Sequence, residues 1–281
     1  MNSRELELEI EKLAGTPAGT ELATSARDAV ESLLSALERG EIRAAQRGDA
    51  NKWRAVPWVK RGILLGFRLG AVTEMPGFGA TKFFDKDTYP PRTLTLADSV
   101  RVVPGGSSIR RGAFIASGVV CMPPMYVNVG AYVGTGTMID SHALVGSCAQ
   151  IGERVHISAA AQVGGVLEPV NASPVIIEDD VIVGGNCGIY EGTVVRRGAV
   201  IGAGVVLTRG TPVYDLVHER VYRATADAAL EIPADAVVVP GARQVNSGWG
   251  SEQKLSLQTP VIVKYRDDKT DGATALEGWL R

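Results

Sequence analysis

Two side chains that can hold or remove a proton stand two residues apart in the segment TMIDSH. The first is the carboxylate of Asp140 and the second is the imidazole of His142. Groups of both kinds serve as general bases, for example when a bound ammonium is converted into a nucleophilic amine. Both residue types are also common in exposed turns, so the elements that position them have to be considered next.

The cysteines give little support to metal or disulfide chemistry. They are few and widely spaced, at Cys121, Cys148 and Cys187. A zinc site or a disulfide framework needs closer pairing, such as CxxC, so we expect reduced structural thiols.

The composition narrows the class of protein. Among 281 residues, 29 Lys+Arg balance 31 Asp+Glu, which does not indicate a basic nucleic-acid surface. No apolar stretch reaches the roughly 18 residues that span a bilayer, and the opening MNSRELELEI is acidic where a signal peptide is basic. We therefore expect a cytoplasmic protein with neither nucleic-acid nor membrane partners. The 33 glycines and the 6% aromatic content favour a repeat architecture.

An aliphatic residue recurs at every sixth position through the middle of the chain. With one cysteine among them, these residues are Val103, Ile109, Ile115, Cys121, Val127, Val133, Ile139, Val145, Ile151, Ile157 and Val163, then Ile177, Val183, Ile189, Val195, Ile201, Leu207 and Val213. Small or β-branched residues stand two positions earlier. Such pairs fit a short strand followed by a tight corner, and these units must stack to bury their apolar sides. The period predicts a mainly β fold, a left-handed parallel β-helix of about six coils at residues 99–215.

The flanking segments have other patterns. Residues 1–98 are predicted to form an N-terminal helical domain and connector, because apolar residues follow helical spacing at 30–37 and again at 58–69. Residues 216–281 are predicted as a small C-terminal β-rich extension that ends in a short helix at 274–281. The gap between the two runs of the repeat requires a loop that leaves the coil, and such loops often carry function.

Several strings of residues exceed what a six-residue repeat requires. They are LLGFRL (64–69), RVVP (101–104), YVNVGAYV (126–133), GTMID (136–140), VGSCAQIG (145–152), GGVLEP (164–169), PVIIEDD (174–180) and IPADAVVVPG (232–241). Together they closely resemble the tetrahydrodipicolinate N-succinyltransferase family over most of the chain.

The resemblance implies a CoA-dependent acyltransferase. It would move succinyl from succinyl-CoA to the amino group of hydrated, ring-opened tetrahydrodipicolinate, in lysine and diaminopimelate biosynthesis. Succinyl-CoA would be a co-substrate, with no permanently bound cofactor and no metal. The resemblance also implies a homotrimer with its sites between subunits.

The resemblance assigns roles to individual residues. Asp140 corresponds to the acid that contacts the amino group of the acceptor, and Arg101 to the arginine that binds an acceptor carboxylate. Both roles suit the reaction, since an ammonium must lose a proton and a dicarboxylate is best bound by a guanidinium. His142 stands where relatives often have tryptophan, and we expect it to contact the substrate at most.

A second acid is less clearly marked. Relatives often carry a glutamate at the position of Gly188, and the nearest replacement here is Glu191, which we expect to be catalytic or to orient a ligand. Counting hexads places Asp140 and Glu191 on different faces of the prism. They could share a site only across a subunit boundary, in agreement with a trimer.

The CoA path is expected to follow glycine-rich corners, which expose backbone amides to pantetheine, and basic residues that can meet phosphate. The candidates are Gly164, Gly165, Gly202, Gly204, Arg243 and Lys264.

Other interpretations stay open at this point. The enzyme could instead acetylate the same acceptor, or the chain could be a non-catalytic hexapeptide scaffold, although stacking requires neither GTMID nor GGVLEP. His142 could be the base, as histidine is in some hexapeptide acetyltransferases. A zinc carbonic anhydrase is disfavoured by the positions of the histidines, because the spacing from His142 to His156 is unsuitable and His218 lies beyond the repeat.

Overall fold

The computed structural model describes residues 2–17, 19–48, 52–77 and 82–267. An N-terminal helical unit packs against a triangular prism of stacked strands, which ends in a long hairpin. Within these ranges, no helix is both long and apolar enough to cross a membrane. The helix predicted at 274–281 lies outside the described residues.

The helices are α1 (Ser3–Ala14), α2 (Ser25–Glu38), α3 (Pro57–Leu69) and α4 (Gly248–Glu252), with a 3-10 turn at Leu96–Asp98. Helix α1 begins with a capping box, in which the Asn2 side chain accepts a hydrogen bond from the backbone N–H of Glu5 at 2.9 Å. The first three helices share a core around Ile10, Leu33 and Ile63, which are fully buried.

The strands are β1 (Ala45–Arg47), β2 (Trp53–Ala55), β3 (Val72–Pro76), β4 (Lys82–Lys86), β5 (Arg101–Val102), β6 (Ser108–Ile109), β7 (Phe114–Ile115), β8 (Val120–Cys121), β9 (Tyr126–Val127), β10 (Tyr132–Val133), β11 (Met138–Ile139), β12 (Leu144–Val145), β13 (Gln150–Ile151), β14 (His156–Ile157), β15 (Gln162–Val163), β16 (Ile176–Ile177), β17 (Ile182–Val183), β18 (Gly188–Ile189), β19 (Val194–Val195), β20 (Val200–Ile201), β21 (Val206–Leu207), β22 (Val213–Asp215), β23 (Arg220–Tyr222), β24 (Glu231–Ile232), β25 (Ala236–Gln244) and β26 (Ser256–Tyr265).

Three parallel sheets form the faces of the prism. The first face contains β5, β8, β11, β14, β17, β20 and β25, the second β6, β9, β12, β15, β18 and β21, and the third β7, β10, β13, β16, β19 and β24. Each coil lies on the one before it, as Ile139 does on Cys121, and both side chains are fully buried. The predicted left-handed parallel β-helix with N-terminal helices is confirmed.

The first inward residue differs from the prediction. Val102, not Val103, pairs with the inward Cys121. The connection to Ile109 is therefore one residue longer than in later coils, and it turns through Gly105 and Gly106, which have φ of 145° and 92°. Positive φ of this kind is easily adopted by glycine, so the corner accommodates the additional residue.

The last inward residue also differs. Val213 does not continue the stack, because β22 pairs with β23 and β26. The prism is instead completed by residues after the repeat, with Ile232 over Val195 and Val238 over Ile201. Two strands of the C-terminal segment thus belong to the coil, and β25 then continues into the hairpin with β26.

The coils turn at three corners. The acid corner, between the first and second faces, comprises residues 122–125, 140–143, 158–161, 184–187 and 202–205. The loop corner, between the second and third faces, includes residues 128–130, 146–148, 164–175 and 190–193. The third corner, which returns to the first face, includes residues 134–136, 152–154, 178–180 and 196–199.

Candidate active site

Asp140 begins the acid corner directly after β11. Ile139 is fully buried inside the prism, so the side chain of Asp140 projects outward and remains 32% exposed. Its Oδ1 accepts a hydrogen bond from the Ser141 N–H at 2.7 Å, and its Oδ2 lies 3.9 Å from His156 Nε2. One oxygen is thus held by the turn, while the other can meet a cation.

His156 is a neighbour of Asp140 to which the sequence analysis gave no role. It lies on β14 of the first face, directly over Met138, and its side chain is 17% exposed. The repeat could have predicted this contact. A coil has 18 residues, so His156 stacks on Met138, and it therefore lies close to Asp140, which follows Met138 by two residues.

His142 occupies the outer position of the same corner. It is exposed, it adopts the left-handed conformation with φ of 62°, and its N–H donates to the Pro124 carbonyl at 2.5 Å. These are the properties of a turn residue that is accessible to a ligand.

Arg101 lies on the first face in the coil where the prism begins. It is exposed, and it stands two strands below Met138, through Val120. Two strand spacings are about 10 Å, and Asp140 lies two residues beyond Met138, so the backbones of Arg101 and Asp140 are about 12 Å apart. Both residues lie on the same side of the prism, at a separation that their side chains and one extended small molecule can span.

Small residues line the acid corner above Asp140. In successive coils they are Ser158, Ala159, Ala160, then Gly184, Gly185, Asn186, then Gly202, Ala203 and Gly204. No described residue accepts a hydrogen bond from the N–H groups of Ala159, Gly185 and Ala203. The corner is therefore a shallow track with outward N–H donors, and its far end lies about 14 Å, or three strand spacings, above Asp140.

Gly188 lies under an aromatic ring. It is buried on the second face, and a Cβ at this position would come 2.5 Å from Cε2 of Tyr190. A glutamate at this position would require Tyr190 to move. The position of the Tyr190 ring in this chain therefore depends on the absence of a side chain at Gly188.

Glu191 lies at the loop corner, two coils above that of Asp140. It is exposed, and its Oε2 accepts a hydrogen bond from the Arg209 N–H at 2.7 Å. A single chain therefore does not bring Glu191 and Asp140 together.

The ejected loop, residues 164–175, begins at the loop corner. Gly164 and Gly165 lie closely over the previous coil, since a Cβ on Gly146 would come 2.2 Å from the nitrogen of Gly165. These glycines are one face away from the small-residue track within the same chain.

Lys60 of α3 anchors the second half of this loop. It is fully buried, and its Nζ donates to the Ala172 carbonyl at 2.5 Å. Burial lowers the pKa of Lys60, because the ammonium is desolvated. The loop is thus fixed to the helical unit.

The two basic candidates for phosphate contact stand apart. On the hairpin, Lys264 pairs with Val237, whereas Arg243 lies six residues further along β25, about 20 Å away. Lys264 also forms an exposed ion pair with Asp267 at 3.1 Å. The structure does not bring these two side chains to one point.

The cysteines are free and buried. Burial raises the pKa of the Cys121 and Cys148 thiols to about 12, so both are protonated near neutral pH. Among the residues that the structure covers, no group of three or more His, Cys, Asp or Glu side chains could hold a metal ion. His218 contacts Asp215 at 3.0 Å in the C-terminal segment, away from Asp140.

Comparisons with known proteins identify the family. Residues 5–69 match the family described as tetrahydrodipicolinate N-succinyltransferase N-terminal, and residues 174–209 match the hexapeptide repeat of succinyl-transferase. A solved hexapeptide-repeat acetyltransferase from Vibrio cholerae is 16% identical, with a TM-score of 0.32, over 81% of this chain and 92% of that one.

Curated relatives match nearly the full length. A 2,3,4,5-tetrahydropyridine-2,6-dicarboxylate N-succinyltransferase from Polynucleobacter asymbioticus is 43% identical over 91% of this chain and 90% of its own. One from Aromatoleum aromaticum is 44% identical over 91% and 89%. The chain therefore belongs to the tetrahydrodipicolinate N-succinyltransferase family.

Proposed function

We propose that this enzyme transfers succinyl from succinyl-CoA to the amino group of hydrated, ring-opened tetrahydrodipicolinate, in lysine and diaminopimelate biosynthesis. The observation that carries the proposal is similarity over 91% of the chain to enzymes of that name, together with Asp140 and Arg101 on one side of the prism. Since the enzyme works on a CoA thioester and its described thiols are buried and reduced, the cytoplasm is its proposed location.

Asp140 and Arg101 bind the two ends of the acceptor in this proposal. Arg101 holds a carboxylate through its guanidinium, and Asp140 holds the ammonium at the other end of the molecule. As nitrogen attacks the thioester carbon, Asp140 assists loss of the ammonium proton. The N–C bond forms, the C–S bond breaks, and CoA leaves as the thiol after it gains a proton.

Succinyl-CoA would lie along the small-residue track. The N–H groups of Ala159, Gly185 and Ala203 can donate to the carbonyl oxygens of pantetheine, and Gly202 and Gly204 admit the chain closely. Arg243 or Lys264 could meet a phosphate, but their separation indicates that only one does so.

A homotrimer would complete the site. Several outward residues in the upper coils of the first and second faces are apolar and incompletely buried in one chain, among them Ile182, Val200 and Val206, whereas Trp53 and Ala45 pack on the third face. A neighbouring subunit on the first two faces could bring Glu191 and the glycines of the ejected loop, Gly164 and Gly165, toward Asp140.

The trimer predicts a sedimentation mass near three times the 29.6 kDa of one chain. Val206→Arg should shift the protein to the monomer and abolish most turnover, because a charged side chain would be buried in the proposed interface. The fold of one chain should stay intact, since Val206 points outward and is 40% exposed. Circular dichroism provides the control for folding. A parent protein that sediments as a fully active monomer would contradict the proposal.

The reaction is tested by thiol release from acyl-CoA. We expect release from succinyl-CoA that depends on the acceptor, and much slower release from acetyl-CoA. Faster turnover of acetyl-CoA would make the enzyme an acetyltransferase on the same acceptor. Absence of acceptor-dependent release from both thioesters would leave only the scaffold interpretation.

A further inference from the structure

A cleft of about 410 Å³ lies on the third face, away from the acid corner. Its floor is formed by the outward side chains of Tyr132 and Gln150. The N-terminal segment covers it with Arg43 and Trp53, and Asp179 lies at its end by the third corner. None of these residues has a role in the proposed acyl transfer.

Arg43 is held in one orientation in this cleft. Its Nε donates to Gln150 Oε1 at 2.9 Å, and Gln150 is only 1% exposed, with its Nε2 donating to the Cys148 carbonyl at 2.9 Å. The guanidinium carbon lies 3.6 Å from the centre of the Tyr132 ring and 5.5 Å from that of Trp53. Stacking on the Tyr132 ring and the hydrogen bond of Nε fix the orientation of the guanidinium plane. The two terminal nitrogens form the outer edge of the group, which lies toward the cleft.

The outer edge of Arg43 has no partner in the described part of the chain. No hydrogen bond or ion pair of its two terminal nitrogens is present there. Burial lowers the pKa of Arg43, because the charged group is desolvated. A desolvated guanidinium whose terminal nitrogens have no hydrogen-bond acceptor is unfavourable, and its planar fork matches a carboxylate.

The acids of the cleft differ in availability. Glu178 is fully engaged, since it accepts hydrogen bonds from Trp53 Nε1 and Arg196 Nη1, both at 2.9 Å. Among the described residues, Asp179 accepts a hydrogen bond only from the Glu153 N–H, at 2.9 Å through Oδ1. Within the described ranges its Oδ2 has no partner, and no ion pair joins Asp179 to Arg43.

We infer that this cleft binds a small zwitterion of the amino acid class, with its carboxylate on Arg43 and its ammonium on Asp179. The rings of Trp53 and Tyr132 provide apolar walls for the side chain of the ligand. The volume is at the lower end of the usual range for ligand pockets, roughly 300–1,000 Å³, which suits one amino acid.

A simple anion fits the cleft less well. Of the three carboxylates that line it, Glu178 is paired with Arg196 and Glu153 with Arg154, whereas Asp179 has no ion pair among the described residues. A ligand with a negative charge alone would leave the Asp179 carboxylate unpaired and would be repelled by it. A ligand that also carries an ammonium converts Asp179 from a repulsive into an attractive group.

The test uses the full-length protein and the twenty standard L-amino acids as probes. Thermal shift identifies the amino acid that stabilises the protein most, and calorimetry then measures its affinity beside two analogues, one without the amine and one without the carboxylate. We expect the complete amino acid to bind about tenfold or more tightly than either analogue, because each analogue loses a charge-assisted hydrogen bond.

Variants locate the site. Arg43→Gln and Asp179→Asn should each weaken binding about tenfold or more. The Asn retains an oxygen for the Glu153 N–H, so this variant should fold normally. Arg197→Gln is the matched control, because Arg197 is a 66% exposed guanidinium of the third corner outside the cleft, and it should bind like the parent.

Three results would overturn the inference. They are no binding by any of the twenty amino acids, equal binding of the analogue that has only a carboxylate, and unchanged affinity in both cleft variants that circular dichroism shows to be folded. All three are independent of the acyl-transfer assay, so they do not bear on the proposed function.

Discussion

Ile151→Asp is expected to abolish the folded prism or lower its melting temperature drastically. The side chain of Ile151 points into the interior of the prism and is fully buried, between Val133 below and Ile177 above. An aspartate there would bury a carboxylate without a partner. That costs several kcal/mol, a large part of the roughly 5–15 kcal/mol that stabilises a typical domain. Melting followed by circular dichroism measures the effect.

Two further variants calibrate this result. Ile151→Val removes only one methylene and should cost about 0.5–1.5 kcal/mol. Ser117→Asp introduces the same charge at an exposed position of a corner and should change stability by about 0.5 kcal/mol or less. If Ile151→Asp melts like Ser117→Asp, the inward register described above is wrong.

The central coils were predictable because each six-residue unit has the same apolar side chain to bury. A six-residue unit with one large aliphatic residue leaves few alternatives to stacking, so register from Ile109 to Leu207 follows from the sequence. At both ends of the repeat, the six-residue spacing no longer predicts which residue points inward. The additional residue before Ile109 is accommodated by two glycines with positive φ, and nothing in the spacing alone distinguishes Val102 from Val103.

The upper end was misjudged for a different reason. Val213 keeps the six-residue spacing and is buried, yet it packs in a sheet with the hairpin. Ile232 and Val238, which are also six residues apart, occupy the places above Val195 and Ile201. Competition between two segments for one position depends on tertiary pairing, which a local period does not contain.

Part of the candidate site could also be predicted from the repeat. Counting hexads predicts Asp140 and Glu191 on different faces of the prism, and the structure has them at different corners, after β11 and after β18. The proximity of His156 to Asp140 follows from the coil length but requires the coils to be superposed rather than read in a line. The burial of Gly188 under Tyr190 depends on a rotamer, which sequence spacing does not predict.

Asp140→Asn is expected to reduce turnover by about 10²–10⁴, the usual cost of losing a general base. The substitution removes the charge that binds the acceptor ammonium, together with the basicity that assists its deprotonation. It should leave the coil intact, because the Asn side-chain oxygen can still accept from the Ser141 N–H and the backbone N–H still donates to the Ile157 carbonyl. Steady-state thiol release from succinyl-CoA, at saturating acceptor, measures the loss.

His142→Asn is the matched comparison at the same corner. Asparagine tolerates the left-handed conformation that His142 adopts, with φ of 62°, so the backbone should be undisturbed. We expect only a small decrease in turnover, since an exposed side chain two residues away contributes at most a contact. A general disturbance of the corner would affect both variants alike. If His142→Asn abolishes turnover while Asp140→Asn remains nearly as active as the parent, the histidine is the base and the role proposed for Asp140 is wrong.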